Sequence, residues 1–297
     1  MYPRPFHYHR AGSLKEAATM LAQLGDDAKL LAGGQSLIPL MKLRLANPSH
    51  LIDLNFVPEA AYIKEDGNSL RFGALTRHAA IEKSTVATRI PMIHDCAAGI
   101  ADVQIRNRGT IGGSLAEADP SGDWAAVLLT QKTEIHCLSP RGERTVPLVD
   151  FISDAYTTVL GHDELVREVV VKSPEKGSGG AYLAFKRSAP VYPTASAAVH
   201  LEMEADLCKD ASIVLGCVGL VPVKATQAER ELRGRKIDDK TVNSVMEAVH
   251  AAVDPQSDMR GSAEYKRTLA AGLVKRAIAV AVRRSRSERV EVSHIYA

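Results

Sequence analysis

The chain has 297 residues, 45% of them hydrophobic and 24% charged, with 37 basic against 35 acidic side chains for a net charge of +2. That is the composition of a folded globular protein and excludes a chain disordered throughout. So small a basic excess, with aromatics at only 5%, argues against a nucleic-acid binder, which needs positive charge for phosphates and rings for bases.

In chain order, Ser13 to Leu24 reads as an amphipathic helix. Ser13 is the N-cap, Glu16 completes a capping box, and Gly25 is the stop. Ala28–Ala32 is a short apolar strand that runs into Gly33-Gly34. Leu37, Leu40, Met41 and Leu45 give residues 36–45 a helical period, which Asn47-Pro48 breaks before a strand at His50–Asp53. Residues 62–64 and 70–72 flank the hairpin turn Asp66-Gly67-Asn68. Thr76 is expected to cap a helix over 77–83, and Pro91 to open another. A glycine-rich segment, Gly109 to Gly113, and a polar loop, Glu117 to Asp123, precede a helix near 124–130. Strands follow at 133–138, 144–147 and 165–171. Residues 172–180 are dominated by Gly, Ser and Pro and read as a linker. Beyond it, strands at 181–187, 194–204 and 211–218 give way to helices at 226–233, 239–252 and 262–283. Strands first and helices after predict an α+β unit.

No apolar run approaches the roughly 20 residues needed to cross a bilayer. The opening stretch, Met1 to Arg10, lacks the continuous apolar core of a secretory signal, so the cytoplasm is the expected compartment. The four cysteines, Cys96, Cys137, Cys208 and Cys217, form no Cys-x-x-Cys pair. They read as buried structural thiols, not as zinc or iron–sulfur ligands or a disulfide framework.

Two segments carry the chemistry: Ala32-Gly33-Gly34-Gln35-Ser36, at a strand-to-helix junction, and Gly109-Thr110-Ile111-Gly112-Gly113-Ser114. Glycines let the main chain turn with positive φ and approach a ligand closely. Successive N–H groups can then face one anion, and nearby hydroxyls can donate to phosphate oxygens. A pair of such loops fits a diphosphate; the bland alternative is two ordinary tight turns. The chain has no Gly-x-Gly-x-x-Gly after its first strand, no P-loop, no His-x-x-x-His and no Gly-x-Ser-x-Gly. A Rossmann site, a P-loop NTPase, a catalytic metal and a serine hydrolase are therefore unsupported.

Ala32 to Pro39, followed by Ile52-Asp53-Leu54, resembles the first FAD loop of the flavin-binding medium subunit of molybdenum hydroxylases, the carbon monoxide dehydrogenase and xanthine dehydrogenase family. Arg106 to Leu115, followed by Asp119-Pro120-Ser121-Gly122-Asp123, resembles the second. Ala184-Phe185-Lys186-Arg187 with Val191 to Ala195 resembles the family's stretch near the flavin ring. The likeness runs in order over nearly the whole chain. Gln35 stands where carbon monoxide dehydrogenases usually carry His and xanthine dehydrogenases Thr, and Ser114 where Asn is commoner; both stay polar.

The resemblance implies an α+β fold: a two-part FAD-binding domain of the p-cresol methylhydroxylase type, then a C-terminal α+β domain with a three-stranded sheet and three helices. The boundaries expected are 1–175, with subdomains of about 1–55 and 56–175, and 176–297. It implies that Ala32, Gly33, Gly34, Gln35 and Ser36, with Thr110, Ile111, Gly112, Gly113 and Ser114, hold the FAD diphosphate. Asp123 accepts from a ribose or adenine donor, or else N-caps the helix at 124. Lys186 lies near the flavin ring, or is a surface strand lysine. Tyr192 packs by the ring, or is an apolar edge residue, and Leu165 lines the pocket, or is a core leucine. No residue is expected to be catalytic toward the organic substrate or to bind metal. The implied partners are a molybdopterin-binding large subunit and a [2Fe–2S] small subunit, as a dimer of heterotrimers. Electrons pass from the clusters through FAD to an external acceptor. A free-standing flavin oxidoreductase and a non-catalytic scaffold subunit are the alternatives.

Overall fold

The computed structural model describes residues 2–188, 190–292 and 295–296. The chain divides into two compact units. One comprises Met1–Ala80, Val103–Ala118 and Thr133–Lys172, the other Ile81–Asp102, Asp119–Lys132 and Ser173–Ala297.

The first unit opens on a three-stranded parallel sheet. His50–Asp53 is its centre, flanked by His7–Arg10 and Ala28–Leu31. The helix Leu14–Leu24 connects the two flanking strands, because Leu14, Ala17, Ala18 and Leu21 share a face and are buried. Its start is the Ser13 cap read from the sequence, with Glu16 reaching one residue further back than in a capping box, to Gly12. Ser13 Oγ accepts from Glu16 N at 3.1 Å, and Gly12 N donates to Glu16 Oε2 at 2.7 Å. Such a cap contributes about 1 kcal/mol. The strand His7–Arg10 escapes a sequence reading because it lies at the sheet edge with three of its four residues exposed, so no apolar alternation marks it.

A five-stranded antiparallel sheet follows, in the order Ile63–Asp66, Ser69–Gly73, Leu165–Lys172, Thr133–Ser139, Gly142–Pro147. Its central strand is rich in valine, as β-branched side chains suit a buried pleated surface. Thr76 does not cap the helix His78–Glu82. Its hydroxyl donates to the Tyr62 carbonyl at 2.8 Å and accepts from Tyr62 N at 3.1 Å, pinning the chain before the first strand of this sheet.

In the second unit three long antiparallel strands, Ser178–Lys186, Ala195–Glu204 and Leu207–Gly216, carry a two-residue strand on each edge, Ile295–Tyr296 and Val223–Lys224. The helices Thr226–Leu232, Asp239–Ala252 and Ala263–Ser285 follow. Alternate strand residues, among them Ala181, Leu183, Ala197, Val199, Ile213 and Leu215, join Val245, Val249, Leu273 and Ala277 from the helices in one apolar core. On the Ser178–Lys186 strand, Gly180 lies against Met92 of the helix Pro91–Gly99. The strands-then-helices expectation is met here. The linker expected over 172–180 is shorter: Ser178, Gly179 and Gly180 are strand. Gly179 is there for packing, since a Cβ would collide with the Ala281 carbonyl of the long C-terminal helix.

Candidate cofactor-binding site

Both glycine segments belong to the first unit. The first leaves the strand Ala28–Leu31 and enters the short helix Leu37–Lys42. Gly34 turns it with φ +73°, in the left-handed region that only glycine enters without cost. Gly33 is constrained differently. A Cβ there would collide with the Arg108 carbonyl oxygen and lie 2.7 Å from Gly109 Cα. The two segments thus touch backbone to backbone at a point where no side chain fits. Among the described residues, the main-chain N–H groups of Gly33, Gly34, Gln35 and Ser36 donate to no protein acceptor. Four successive donors without a partner are costly unless water or an anion takes them. Gln35 is exposed, and its amide nitrogen lies 3.5 Å from the Gly33 carbonyl. Ser36 precedes the helix with no side-chain cap bond, so its hydroxyl is available.

The second segment departs from the expectation that both loops offer main-chain donors. Ile111–Glu117 is a helix, and Gly112 and Gly113 lie in its first turn without positive φ. Thr110 is its N-cap, with Oγ1 accepting from Gly113 N at 3.1 Å. Ile111 N donates to Thr76 O, Gly112 N to Ala74 O and Ser114 N to Thr110 O. These N–H groups are spent inside the protein. Gly112 serves packing, as a Cβ there would lie 2.6 Å from Ala74 Cβ, whereas a Cβ on Gly113 would meet the Thr110 hydroxyl at 2.7 Å. The segment forms one wall beside the first loop and offers the half-buried Ser114 hydroxyl. A run of free donors, a left-handed glycine and a contact too close for Cβ fit an anionic diphosphate better than two unrelated tight turns.

Residues that the sequence reading missed tie this region together. Asn55 Nδ2 donates to the Ala32 carbonyl at 3.0 Å and to Asp53 Oδ1 at 2.5 Å. Arg77 donates to Asn55 Oδ1 at 2.5 Å and to the Arg108 carbonyl. Burial, reinforced by nearby Arg108, holds the Arg77 guanidinium below its ordinary value. Asp53 lies below its ordinary value too: burial opposes its charge, but hydrogen bonds from Tyr8 and Asn55 outweigh that. His78, behind Gly109, is pushed down to about 3, mainly by burial and then by Arg77 and Arg106. It is neutral at ordinary pH. Only the Asp53-Leu54-Asn55 spacing, a typical Asx turn, hinted at any of this; Arg77 had no signal. Leu165, expected to line the pocket or fill the core, is buried in the apolar cluster with Leu75, Leu21 and Ile52.

Asp123, Lys186 and Tyr192 belong to the second unit. Asp123 is not an N-cap. Gly122 holds that position, and the buried Asp123 carboxylate accepts from the Tyr182 hydroxyl at 2.6 Å. Burial and the Asp123 charge push the Tyr182 phenol well above its usual range. Lys186 is no surface lysine: it is 1% exposed and its ammonium donates to the Gly99 carbonyl. Tyr192 is 46% exposed, with the Arg260 guanidinium 5.7 Å from its ring centre. Cys96, Cys137 and Cys208 are buried and Cys217 half-buried, all four unpaired. Among the described residues no group of three or more His, Cys, Asp or Glu side chains is placed to hold a metal ion. No described helix is long and apolar enough to cross a membrane.

Fold and loops together define an α+β protein built to hold a diphosphate-bearing cofactor. Residues 4–174 match the family model described as the FAD binding domain in molybdopterin dehydrogenase, and residues 180–281 match the CO dehydrogenase flavoprotein C-terminal domain. The chain is 38% identical to the carbon monoxide dehydrogenase medium chain of Hydrogenophaga pseudoflava, over 94% of this chain and 97% of that one. It is also 38% identical to the 6-hydroxypseudooxynicotine dehydrogenase complex subunit alpha of Paenarthrobacter nicotinovorans, over 99% and 100%. Among solved structures, the cyanide-inactivated Cu,Mo-CO dehydrogenase superposes with a TM-score of 0.93 at 38% identity, covering 96% of this chain and all of that one. The chain belongs to the family of FAD-binding medium subunits of molybdenum hydroxylases.

Proposed function

We propose that this chain is the flavin subunit of a molybdenum-containing hydroxylase complex and that it binds one FAD through its paired glycine segments. The observation that carries the reading is the run of four unpartnered main-chain donors, Gly33 to Ser36, held against the second segment where no side chain fits. Residues 1–175 are taken as the FAD-binding domain, with subdomains of about 1–55 and 56–175, and residues 176–297 as the C-terminal flavoprotein domain.

When bound, FAD supplies the redox chemistry, storing electrons received from iron–sulfur clusters for delivery to an external acceptor. The chain's own residues bind and orient. Gly33, Gly34, Gln35 and Ser36 offer main-chain N–H groups to the diphosphate, with Ala32 leading into the turn. Each bond from such a donor to a charged oxygen is worth about 1.5–3 kcal/mol. Thr110 and Ser114 line the second wall, and Ile111, Gly112 and Gly113 let that wall approach. Asp123 accepts from a ribose or adenine donor, and its bond from Tyr182 keeps the carboxylate oriented. Lys186 supplies a buried positive charge that favours the reduced flavin, Tyr192 packs by the ring, and Leu165 backs the pocket.

The partners are a molybdopterin-binding large subunit and a [2Fe–2S] small subunit, in a dimer of heterotrimers within the cytoplasm. Relatives at equal identity are named for carbon monoxide dehydrogenase and for a 6-hydroxypseudooxynicotine dehydrogenase complex, so identity to them does not assign the organic substrate. The test is reconstitution. The purified chain should be yellow, release FAD on denaturation and oxidise no organic substrate alone. Turnover should require the molybdenum and cluster chains and vanish when FAD is stripped, while the clusters are still reduced. Released FMN, or rapid turnover by the isolated chain, overturns the reading.

A further inference from the structure

The two glycine segments lie about 75 residues apart in sequence, yet the Arg108 carbonyl lies against Gly33. Backbone contact without a side chain to interlock it leaves the spacing of the two walls to whatever holds them from behind. One chain of hydrogen bonds does so, entirely within the first unit. The Ala32 carbonyl accepts from Asn55 Nδ2, Asn55 Oδ1 accepts from Arg77, and the same guanidinium donates to the Arg108 carbonyl. Asp53 fixes Asn55 at the back, accepting from its main-chain N–H at 2.8 Å and from its amide, while the Tyr8 hydroxyl donates to the other carboxylate oxygen at 2.7 Å. The planar guanidinium fork reaches two acceptors at once, which a lysine ammonium on a flexible stem does with less order. Both terminal nitrogens of Arg77 are committed to protein acceptors.

We propose that Asn55 and Arg77 are positioning residues that clamp the first glycine segment to the second and so set the width of the diphosphate cradle. This rests on the flavin reading above. Both act through the carbonyls of Ala32 and Arg108, the residues just before Gly33 and Gly109. Because the two form one chain, breaking it at either residue, or at both, has the same consequence.

The test measures FAD dissociation constants by flavin fluorescence on the flavin-stripped full chain, for the wild type, Asn55→Ala, Arg77→Met, the double variant and Arg77→Lys. Each single substitution should weaken FAD binding about tenfold. The double variant should lie within about threefold of the weaker single one, whereas independent contributions would multiply to about a hundredfold. Arg77→Lys, which keeps the charge and donors on a single nitrogen but loses the two-nitrogen fork, should recover part of the loss. Single variants that bind FAD within twofold of the wild type, a multiplicative double variant, or a loss of thermal stability with unchanged FAD affinity would each overturn the clamp. If the wild-type chain does not take up FAD, the flavin reading itself falls, an outcome distinct from variants that bind as well as a wild type that does.

Discussion

Replacing Gly33 by alanine adds a single methyl group at the tightest point of the candidate site. The new Cβ would strike the Arg108 carbonyl oxygen and stand 2.7 Å from Gly109 Cα and 2.8 Å from the Arg108 carbonyl carbon. Carbon atoms in contact prefer about 3.5–4.0 Å, so the two segments must part by roughly 1 Å. All three obstacles are backbone and cannot rotate aside. Overpacking of this kind costs about 1–3 kcal/mol. The chain relieves it by spreading the segments, and the main-chain donors from Gly33 to Ser36 then shift away from the second segment. Loss of one bond to a charged oxygen is worth about 1.5–3 kcal/mol, a fall in FAD affinity of roughly ten- to hundredfold. Titration of flavin-stripped protein with FAD, read by flavin fluorescence, measures this directly, and circular dichroism checks that the variant is folded. Gly272→Ala is the control: it lies inside the helix Ala263–Ser285 with nothing within 4 Å of a new Cβ. It should leave FAD affinity alone and stabilise the fold by about 0.5–1 kcal/mol. A folded Gly33→Ala protein that binds FAD within threefold of the wild type would refute the steric reasoning.

The buried pair of Arg284 and Asp95, bonded through both carboxylate oxygens at 2.5 and 3.0 Å, should be costly to break from one side. Arg284→Met takes the guanidinium away from the buried Asp95 carboxylate, which still accepts from the Tyr182 main-chain N–H at 3.2 Å, and urea unfolding should show a loss of about 3–5 kcal/mol; a change below 1 kcal/mol would contradict the buried-pair argument. Stability should also fall on acidification. His78 is neutral in the fold down to about 3 but takes a proton in the unfolded chain below about 6.5, so its stabilisation is present above 6.5 and drains away as pH falls through that window. Glu168 acts in the same direction: burial opposes its charge, bonds from Arg71 and Tyr62 outweigh it, and the stability of that arrangement goes as the lowered carboxyl is finally protonated. His78→Gln should flatten the fall in urea midpoint between pH 6.5 and 4; an unchanged slope would rule out His78 as its source. Lys186→Met should lower the reduction potential of the bound flavin by about 30–60 mV, the equivalent of roughly 1.4–2.8 kcal/mol on a two-electron couple. Spectroelectrochemistry that finds no shift would remove Lys186 from the flavin's surroundings.

Several features of this protein were settled by residues close together in the chain. The helix Leu14–Leu24 follows from apolar spacing plus Ser13 and Glu16, and its cap formed as read. The hairpin about Asp66-Gly67-Asn68 and the three C-terminal helices follow equally from local period and turn chemistry. The Gly-Gly motifs marked two segments that the fold brings into backbone contact. What glycine does at each position was decided only by folding. Gly34 turns with positive φ, Gly33 admits the Arg108 carbonyl, Gly112 admits Ala74, and Gly179 admits the Ala281 carbonyl. A glycine in a sequence reports that a side chain is absent, and only its neighbours in space show why. The same holds for the polar contacts. Arg77 meets Arg108 across 31 residues, Asp123 meets Tyr182 across 59, and Asp95 meets Arg284 across 189. Such pairs leave no periodic trace, because period is a property of one element and these bonds join several. Compactness, too, gathers residues 81–102 and 119–132 with the C-terminal part of the chain, although both lie far upstream of residue 173. Hydrophobic burial depends on which apolar faces meet, and that is a property of the folded chain, not of the order of its residues.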